Sequence, residues 1–255
     1  MQKDATALAA INMFGVLGAL ENLCATDEKA AAILRDLNKP VSLCFAVKNG
    51  PSATWHFTRE GCRMTEGESG CTAKMTFSTP EAFNALIDNA KPGLPVKAPL
   101  TTIRFLLGPF TKLTDRLQEL LRPSEEALSD RAFFEQSTNL TLYTVAGAIS
   151  AAANYDPIGR ISASNTVDGD VLLGIKDGVC ATIRVRDGRF STVKAACDNP
   201  RALMEFATVD LAAGLFAGTV STIGELCRGN IRIAGMVSMV DNINRILDRV
   251  SGYLA

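Results

Sequence analysis

The segment GDVLLGIKDGVCATIRVRDGRF, residues 169–190, gives the clearest indication of fold in this chain. In it, short runs rich in Val, Ile and Leu are separated by Asp177-Gly178 and Asp187-Gly188. An Asp-Gly pair between two such runs is a strong signal for a tight β-hairpin turn. The segment therefore predicts an antiparallel meander with strands at 170–176, 179–186 and 189–195.

A second segment of the same texture lies earlier in the chain, and its turns match in spacing. Gly178 follows Gly50 by 128 residues, and Gly188 follows Gly61 by 127. With a third turn at Ser69-Gly70, these glycines predict strands at 41–47, 53–59, 62–66 and 71–77.

The elements predicted after each meander also keep a common order. A helix is expected at Pro80 in one segment and at Pro200 in the other, where Leu203, Met204 and Phe206 would form its apolar face. A last strand is expected at 101–106 in the first segment and at 230–233 in the second. This order predicts a tandem repeat; the alternative is one mixed α/β domain whose hairpins coincide in spacing.

Helical periodicity fills most of the remaining chain. Asp27 is the expected N-cap of the second helix. The predicted helices lie at about 8–20, 27–37, 110–121, 124–154, 208–227 and 236–252, and a strand is expected at 158–165. We therefore predict an α+β fold of two tandem units, 1–123 and 124–255, the second opening with the long helix 124–154. Each unit would hold a mainly antiparallel five-stranded sheet covered by helices on one face.

Composition excludes several classes of partner. Lys and Arg (26) nearly balance Asp and Glu (27), and no basic stripe occurs, so binding to nucleic acid is not expected. The small net charge permits association, so a homodimer is allowed. Aromatic residues make up only 6% of the chain, which predicts a mainly aliphatic core.

Few residues suggest chemistry. His56, the single histidine, alternates along a strand with Trp55 and Phe57, and the sequence assigns it neither a nucleophile nor an orienting acid. Cys227 precedes Arg228, a cation that could lower its pKa, but a structural thiol is the favoured interpretation. No Cys-x-x-Cys pair or phosphate-binding glycine string occurs. We therefore expect no catalytic residue, no metal site and no cofactor.

The seven cysteines and the apolar segments bear on location. Most of the cysteines stand in apolar runs, which indicates small buried thiols in a reducing compartment. Residues 5–20 lack a convincing signal-peptide cleavage site, and Leu140 to Ala153 is too short to span a bilayer. A cytoplasmic protein without stable membrane insertion is expected.

One family resemblance arises from the order of elements and from two similar segments. Gly229-Asn230-Ile231-Arg232-Ile233-Ala234-Gly235 precedes the last predicted helix, and Thr102 to Gly108 echoes it in the first unit. The chain thereby resembles the sterol carrier protein type-two family of lipid-binding domains over roughly 41–121 and 158–252. The resemblance implies an apolar tunnel between sheet and helices that accepts a fatty acyl chain, a sterol-like molecule or another lipid, without cofactor or covalent chemistry. Pro109, directly after Gly108, departs from the pattern and makes a cavity in the first unit less expected.

The predicted binding residues lie in the second unit. Small residues between Leu211 and Gly218 could leave space beside Leu215 and Phe216, and methionine-rich surfaces adapt to varied apolar ligands. Ordinary core packing is the alternative for any one of these residues. The predicted set is Leu211, Leu215, Phe216, Ile233, Met236, Met239, Val240 and Ile243.

Three functions fit the sequence. The favoured one is non-catalytic binding or transfer of an apolar small molecule. The first alternative is a protein-interaction module or homodimer without ligand, and the second is an enzyme that uses Cys227 or His56.

Overall fold

The computed structural model describes residues 3–88, 96–97 and 100–254. The chain divides into two compact units, Gln2–Pro123 and Ser124–Ala255. Each unit contains helices and one sheet, so the chain has the predicted α+β class. Apart from residues 96–97, the Pro/Gly-rich passage at 92–99 lies outside the described residues.

The first unit opens with helices and then forms its sheet. Its elements are α1 (Ala5–Thr26, with a π-turn at Ile11–Val16 and a 3-10 turn at Leu17–Ala19), α2 (Glu28–Arg35), β1 (Val41–Val47), β2 (Ser52–Phe57), β3 (Cys62–Glu66), β4 (Ala73–Phe77), α3 (Pro80–Ile87), β5 (Val96–Lys97), α4 (Leu100–Phe105), a π-turn at Leu106–Phe110 and α5 (Thr111–Leu121).

The second unit has the same order of elements up to the helix after its fourth strand. It differs in a longer first helix, in a short helix before its last strand and in one helix, rather than two, after that strand. After a 3-10 turn at Ala127–Ser129, its elements are α6 (Arg131–Tyr155), α7 (Gly159–Ser164), β6 (Gly169–Ile175), β7 (Cys180–Arg186), β8 (Arg189–Val193), β9 (Ala202–Phe206), α8 (Val209–Phe216), α9 (Thr222–Cys227), β10 (Ile231–Gly235) and α10 (Val237–Leu254).

Both sheets are mixed rather than antiparallel throughout, which corrects the prediction of mainly antiparallel sheets in part: three of the four pairings among the described strands of each sheet are antiparallel and one is parallel. The strand orders are β3-β2-β1-β4-β5 and β8-β7-β6-β9-β10. In each sheet the central pair, β1 with β4 or β6 with β9, is parallel. The reason is that the segment around Ser69-Gly70 is not a hairpin turn: the chain crosses from the third strand to the far side of the first.

Equivalent backbone contacts hold the two sheets. The N–H of Lys48 donates to the carbonyl of Phe77 (2.9 Å), and that of Lys176 donates to Phe206 (2.8 Å). The buried Thr54 hydroxyl donates to the carbonyl of Gly67 (2.9 Å), as Thr182 does to Ala195 (2.7 Å). These bonds tie the crossover of each unit to its central strands at matching positions.

Side-chain caps begin equivalent helices in the two units. Thr79 accepts a hydrogen bond from the N–H of Ala82 (3.3 Å) ahead of α3, and Thr208 accepts one from Leu211 (3.2 Å) ahead of α8. Asp27 caps α2 as predicted, accepting from the N–H of Ala30 (2.7 Å). A threonine or aspartate oxygen at this position satisfies a donor that the first helical turn leaves free.

The strand predicted at 101–106 is helical, and β5 precedes it. The buried residues Phe105, Leu106, Leu113, Leu117 and Leu120 recur at helical spacing from α4 to α5. The β-branched residues Thr101 to Ile103 favour a strand locally, but the apolar residues that follow them recur at helical spacing, and the segment forms a helix. Pro109 falls in the π-turn at Leu106–Phe110, so it interrupts the helix without ending it.

Two predictions in the second unit exchanged helix and strand. The strand expected at 158–165 contains α7, because the carboxylate of Asp156 accepts from the N–H of Gly159 (2.7 Å) and caps a helical turn. The helix expected after Pro200 is strand β9, in which Ala202, Met204 and Phe206 are buried on one face. The helix that follows the fourth strand begins at Pro80 in the first unit and at Val209, not Pro200, in the second. The fifth strand that corresponds to β10 is β5, which precedes Ile103.

Two predicted long helices are divided. The 124–154 stretch is a 3-10 turn followed by α6, and the 208–227 stretch is α8 and α9, separated at Gly218. Gly218 has φ +69, a left-handed conformation that glycine adopts without strain and that ends a helix.

Helix α1 is long and apolar enough to span a membrane by length and composition alone. An 18-residue window of this helix has a mean hydropathy of 1.5, and 72% of that window is buried within the structure. The indole N–H of Trp55 donates to the carbonyl of Leu17 (3.1 Å), and the Asn12 amide donates to the Asn84 side chain (3.1 Å). In this structure α1 is thus packed as part of the first unit.

Candidate apolar site in the second unit

The second sheet has an inner face of small and medium aliphatic side chains. Across β6 and β7, Val171 stands opposite Ile183 and Leu173 opposite Ala181, and all four are buried. Helices α6, α8 and α10 contact this sheet. Any apolar ligand held between the sheet and helices would therefore meet branched aliphatic groups.

Helix α10 contributes three of the predicted binding residues, and all three are buried. Met239, Val240 and Ile243 belong to a stripe that continues through Ile246 and Val250. A Cβ placed on Gly169 would lie 3.2 Å from the terminal methyl carbon of Met239, so this side chain reaches β6. These residues form the floor of the candidate site.

The other five predicted residues are half-buried. Leu211, Leu215 and Phe216 lie on α8, Ile233 lies on β10, and Met236 follows that strand. The rings of Phe216 and Phe206 are perpendicular, with centroids 6.0 Å apart, and Ile233 stands opposite Met204 in the sheet. Since α8 and α10 both contact β9, the two groups of predicted residues lie over the same strand.

Not every small residue between Leu211 and Gly218 leaves space beside Leu215 and Phe216. A Cβ on Gly214 would instead lie 2.5 Å from a methyl carbon of Val220, so the chain after α8 folds back and fills that position. The N–H of Thr219 donates to the carbonyl of Gly214 (2.9 Å) and fixes this return.

The matching region of the first unit contains aromatic rings. The ring of Phe45 lies 5.3 Å from Trp55 and 6.2 Å from Phe83, and Phe57 lies 5.1 Å from Phe105. Phe77 and Phe110 complete a set of seven rings in mutual contact. The first unit thus concentrates its aromatic residues in one cluster, while most of its other buried residues, among them Leu20, Leu34 and Leu113, are aliphatic as expected.

Strand register shows that smaller residues replace most of these rings in the second unit. Trp55 stands opposite Leu43 in the first sheet, and Ile183 stands at the equivalent position, opposite Val171, in the second. Phe45 stands opposite Met75, and its equivalent is Leu173, opposite Met204. Counting from the capping threonines, Phe83 of α3 corresponds to Ala212 of α8. Of the rings placed by these pairings, only Phe77 has an aromatic counterpart, Phe206.

Each unit also contains a buried ion pair that the sequence did not reveal. Arg249 donates to both carboxylate oxygens of Asp156 (2.9 and 3.0 Å), and Tyr253 donates to the same carboxylate (2.6 Å). In the first unit, Arg116 donates twice to Asp27 (3.0 and 2.8 Å). The partners are 89 and 93 positions apart in sequence, so local patterns could not pair them.

The environment of Asp156 favours its charged form. Burial acts to raise its pKa, but hydrogen bonds from Arg249, Tyr253 and the N–H of Gly159 outweigh burial and hold the pKa below its usual value. The carboxylate accepts bonds at both oxygens and caps α7. These contacts indicate a structural role.

His56 lies on the first sheet between two hydroxyl groups. Its Nδ1 is 2.9 Å from the Ser42 Oγ, and its Nε2 is 3.3 Å from the Thr65 Oγ1. The serine beside His56 was not identified from sequence, because Ser42 lies on the neighbouring strand. These contacts supply hydroxyl partners but no carboxylate to orient the ring for general base chemistry.

The cysteines are less buried than predicted. All seven are free; Cys24 and Cys44 are buried and Cys227 is exposed, while the other four are half-buried. Burial raises the pKa of the Cys44 and Cys180 thiols, which disfavours the reactive thiolate. Within residues 3–88, 96–97 and 100–254, no group of three or more His, Cys, Asp or Glu side chains could hold a metal ion.

An open depression on α5 is a different kind of surface. It is lined by Asp115, Gln118, Glu119 and Arg122. These polar side chains do not suit an apolar ligand.

Comparison with known proteins gives only partial likenesses. No protein-family model matches the chain, and no curated protein matches it. The structural class found is that of sterol carrier protein domains. A crystal structure of sterol carrier protein 2 is 16% identical with a TM-score of 0.33, and the match covers 43% of this chain and 92% of that one.

Two solution structures give similar values. The sterol carrier protein domain 2 of Helicoverpa armigera is 13% identical with a TM-score of 0.35, covering 44% of this chain and 88% of that one. A conserved hypothetical protein of Thermus thermophilus, described as possibly a sterol carrier protein, is 16% identical with a TM-score of 0.33, covering 43% and 85%. At these values the likeness establishes neither a ligand nor an activity.

Proposed function

We propose that the second unit binds an apolar small molecule, such as a fatty acyl chain, a sterol-like molecule or another lipid, over strands β9 and β10. Leu211, Leu215 and Phe216 form one wall of the site, and Ile233 and Met236 form the other. The buried stripe of α10 is its floor. The first unit, with aromatic rings in the equivalent region, takes no ligand.

The observation that carries this proposal is the contrast in filling between the two units. Where the first unit packs Phe83 against Phe45 and Phe77, the second has the smaller Ala212. Leu211 and Leu215 of α8 are half-buried, as Leu86 of α3 is in the first unit. A ligand laid against these side chains would complete their burial. Transfer from water stabilises the complex by about 0.8 kcal/mol for each methylene buried, so affinity requires no specific polar contact.

We further propose that binding proceeds without covalent chemistry and that the protein works in the cytoplasm. The contacts of His56 with the hydroxyl groups of Ser42 and Thr65, rather than with an orienting carboxylate, support the absence of covalent chemistry. We also propose that the two units are diverged copies of one ancestral domain. The shared strand order, the paired threonines and the two buried Asp–Arg pairs support this proposal.

The test compares two matched variants. Leu215→Gln alters the proposed wall, and Leu86→Gln changes the equivalent half-buried leucine of α3 in the first unit. Native mass spectrometry of the purified full chain detects bound lipid, and displacement of a fluorescent fatty acid gives the affinity. We expect one ligand per chain, with affinity roughly tenfold lower in Leu215→Gln and unchanged in Leu86→Gln.

Two outcomes would overturn the proposal. One is the absence of both co-purified lipid and fluorescent fatty acid binding. The other is a stable dimer in sedimentation that Leu215→Gln dissociates, with no lipid bound, which would identify this surface as a protein interface.

A further inference from the structure

Helix α9 presents its apolar side chains to solvent. Ile223 is 76% exposed and Leu226 is 42% exposed, and the two lie one turn apart on the same side of the helix. The side chain of Glu225, by contrast, is only 12% exposed. A surface helix ordinarily turns its apolar side inward, so the orientation of α9 is inverted.

Polar contacts hold this inverted orientation. The Asn230 amide donates to the Glu225 carboxylate (2.6 Å), and the N–H of Asn230 donates to the carbonyl of Glu225 (3.0 Å). Arg228 also forms an ion pair with Glu225. Glu225 therefore anchors α9 to the start of β10, and rotation that buried Ile223 would break these bonds.

The charges beside the exposed pair are arranged with the arginines outermost. In the Arg228–Glu225 pair, the arginine side chain is 68% exposed and the glutamate 12%; in the Arg232–Glu205 pair, the values are 65% and 26%. Both acids face inward and both guanidinium groups face solvent. Each ion pair is neutral as a whole, but it presents its guanidinium group to solvent and its carboxylate toward the interior of the unit.

The position of α9 links it to the candidate site. Residues 217–230, all of them described, join α8 to β10, the two elements that form the walls of that site, and every side chain in this range is half-buried or exposed. Gly218 and Gly229, near its two ends, have φ +69 and +77. The segment thus connects the two proposed walls through an exposed stretch of chain with a left-handed glycine near each end.

We propose that α9 docks on an anionic lipid bilayer, with Ile223 and Leu226 inserted among the acyl chains and Arg228 and Arg232 against the headgroup phosphates. An apolar pair gives partitioning, and flanking cations give preference for anionic lipid. This proposal rests on the proposed function, since docking would place the mouth of the binding site at the source of its ligand. The pair of apolar and cationic groups favours a bilayer over a protein partner.

The experiment measures sedimentation of the full chain with vesicles of phosphatidylcholine alone or containing one-fifth phosphatidylglycerol. We expect binding to the anionic vesicles, reduced roughly tenfold or more in Ile223→Gln/Leu226→Gln. Arg228→Gln/Arg232→Gln should remove most of the preference for anionic vesicles, at roughly fivefold per arginine. Ile161→Gln, which changes a 63% exposed isoleucine on α7, is the matched control and should bind as the parent does.

Fatty acid affinity is measured on the same variants and separates the two proposals. Vesicle binding without a bound lipid ligand would sustain docking and reject the proposed function. Docking is overturned if the parent binds neither kind of vesicle. It is also overturned if Ile161→Gln weakens vesicle binding as much as the double variant Ile223→Gln/Leu226→Gln does. A concentration-dependent dimer that the α9 pair abolishes, without vesicle binding, would assign the surface to a second copy of the chain.

Discussion

The first and second units have the same sheet architecture and differ in the side chains of their interiors. Both have the same strand order, a parallel central pair, a threonine-capped helix after that pair and a buried Asp–Arg ion pair. The first packs Trp55, Phe45 and Phe83 between its sheet and helices, where the second places Ile183, Leu173 and Ala212. The common architecture therefore depends on backbone pairing and a few polar contacts, while the interior side chains differ between the units.

The largest expected effects come from the buried ion pairs. Asp156→Asn removes the buried carboxylate that pairs with Arg249, which should cost about 3–5 kcal/mol in the free energy of unfolding. Asp27→Asn removes the buried partner of Arg116, which keeps its contact with Glu119, so its cost should not exceed that range. Trp55, the single tryptophan, reports the first unit by fluorescence, while far-UV circular dichroism reports both. In urea unfolding, we expect the fluorescence transition to move only in Asp27→Asn.

The exposed pair between Asp241 and Arg245 supplies the control. Asp241→Asn should change stability by less than about 0.5 kcal/mol. Equal shifts of the fluorescence transition in Asp27→Asn and Asp156→Asn would show that the two units unfold together, and the comparison of separate cores would then fail.

Removing a ring from the first unit tests whether that unit is filled. Phe83 is fully buried and contacts the rings of Phe45 and Phe77, so Phe83→Ala should cost about 3–5 kcal/mol through lost burial and the cavity left behind. Fluorescence-monitored urea unfolding measures the cost. A loss below about 1 kcal/mol would contradict the description of a filled aromatic core.

The reciprocal change places a ring in the second unit. Ala212→Phe gives α8 the residue that α3 carries, and overpacking at this buried site should cost about 1–3 kcal/mol. We expect affinity for a fluorescent fatty acid to fall roughly tenfold or more as the ring occupies the ligand's place. Unchanged affinity in a folded variant would mean that the ligand lies elsewhere.

A pH series sharpens the comparison of the ion pairs. The pKa of Asp156 is lower in the folded chain than its usual value, so its stabilising contribution is complete at neutral pH and is lost as pH falls through the folded pKa. The difference in unfolding free energy between the parent and Asp156→Asn should therefore shrink between about pH 5 and pH 2. A difference that grows as the pH falls would contradict the ion-pair assignment.

The smallest expected effects concern the helix caps. Thr79→Ala and Thr208→Ala each remove one side-chain acceptor from the first turn of α3 or α8, at a cost of about 1 kcal/mol. The two losses should agree within about 0.5 kcal/mol, because the caps have the same geometry. A marked inequality, measured by circular dichroism during urea unfolding, would show that the two helices are not equivalent.

Sequence patterns predicted the local turns well and the distant pairings poorly. Asp177-Gly178 and Asp187-Gly188 correctly located β6, β7 and β8, since an Asp-Gly turn is a local signal. The prediction of a helix at β9 was wrong. The preceding Asp198-Asn199-Pro200 is typical of a helix start, while the pairing of β9 with β6 and β10 depends on residues remote in sequence. The parallel pairing was missed for the same reason: its partners are remote in sequence.

The candidate site was predicted only in part. Apolar periodicity correctly indicated that Met239, Val240 and Ile243 face inward, because helical spacing is visible in sequence. The return of Val220 onto Gly214 and the outward rotation of Ile223 depend on tertiary contacts, so no local pattern reveals them. The ring cluster likewise became visible only when strand register brought Phe45 beside Trp55 and Phe83.

The parallel central pair has a consequence for how the chain acquires its structure. In each unit the fourth strand must wait for the crossover before it can join the first, and non-local pairings of this kind form slowly. Two units in one chain with the same strand order are prone to exchange partners during such a delay, for example by pairing β9 with β1 in place of β4. The fourth strands themselves do not prevent this exchange, because the buried residues Ala73, Met75 and Phe77 of β4 match Ala202, Met204 and Phe206 of β9. Correct assembly therefore depends on separation along the chain, since each fourth strand is much nearer to the first strand of its own unit and closes a shorter loop with it.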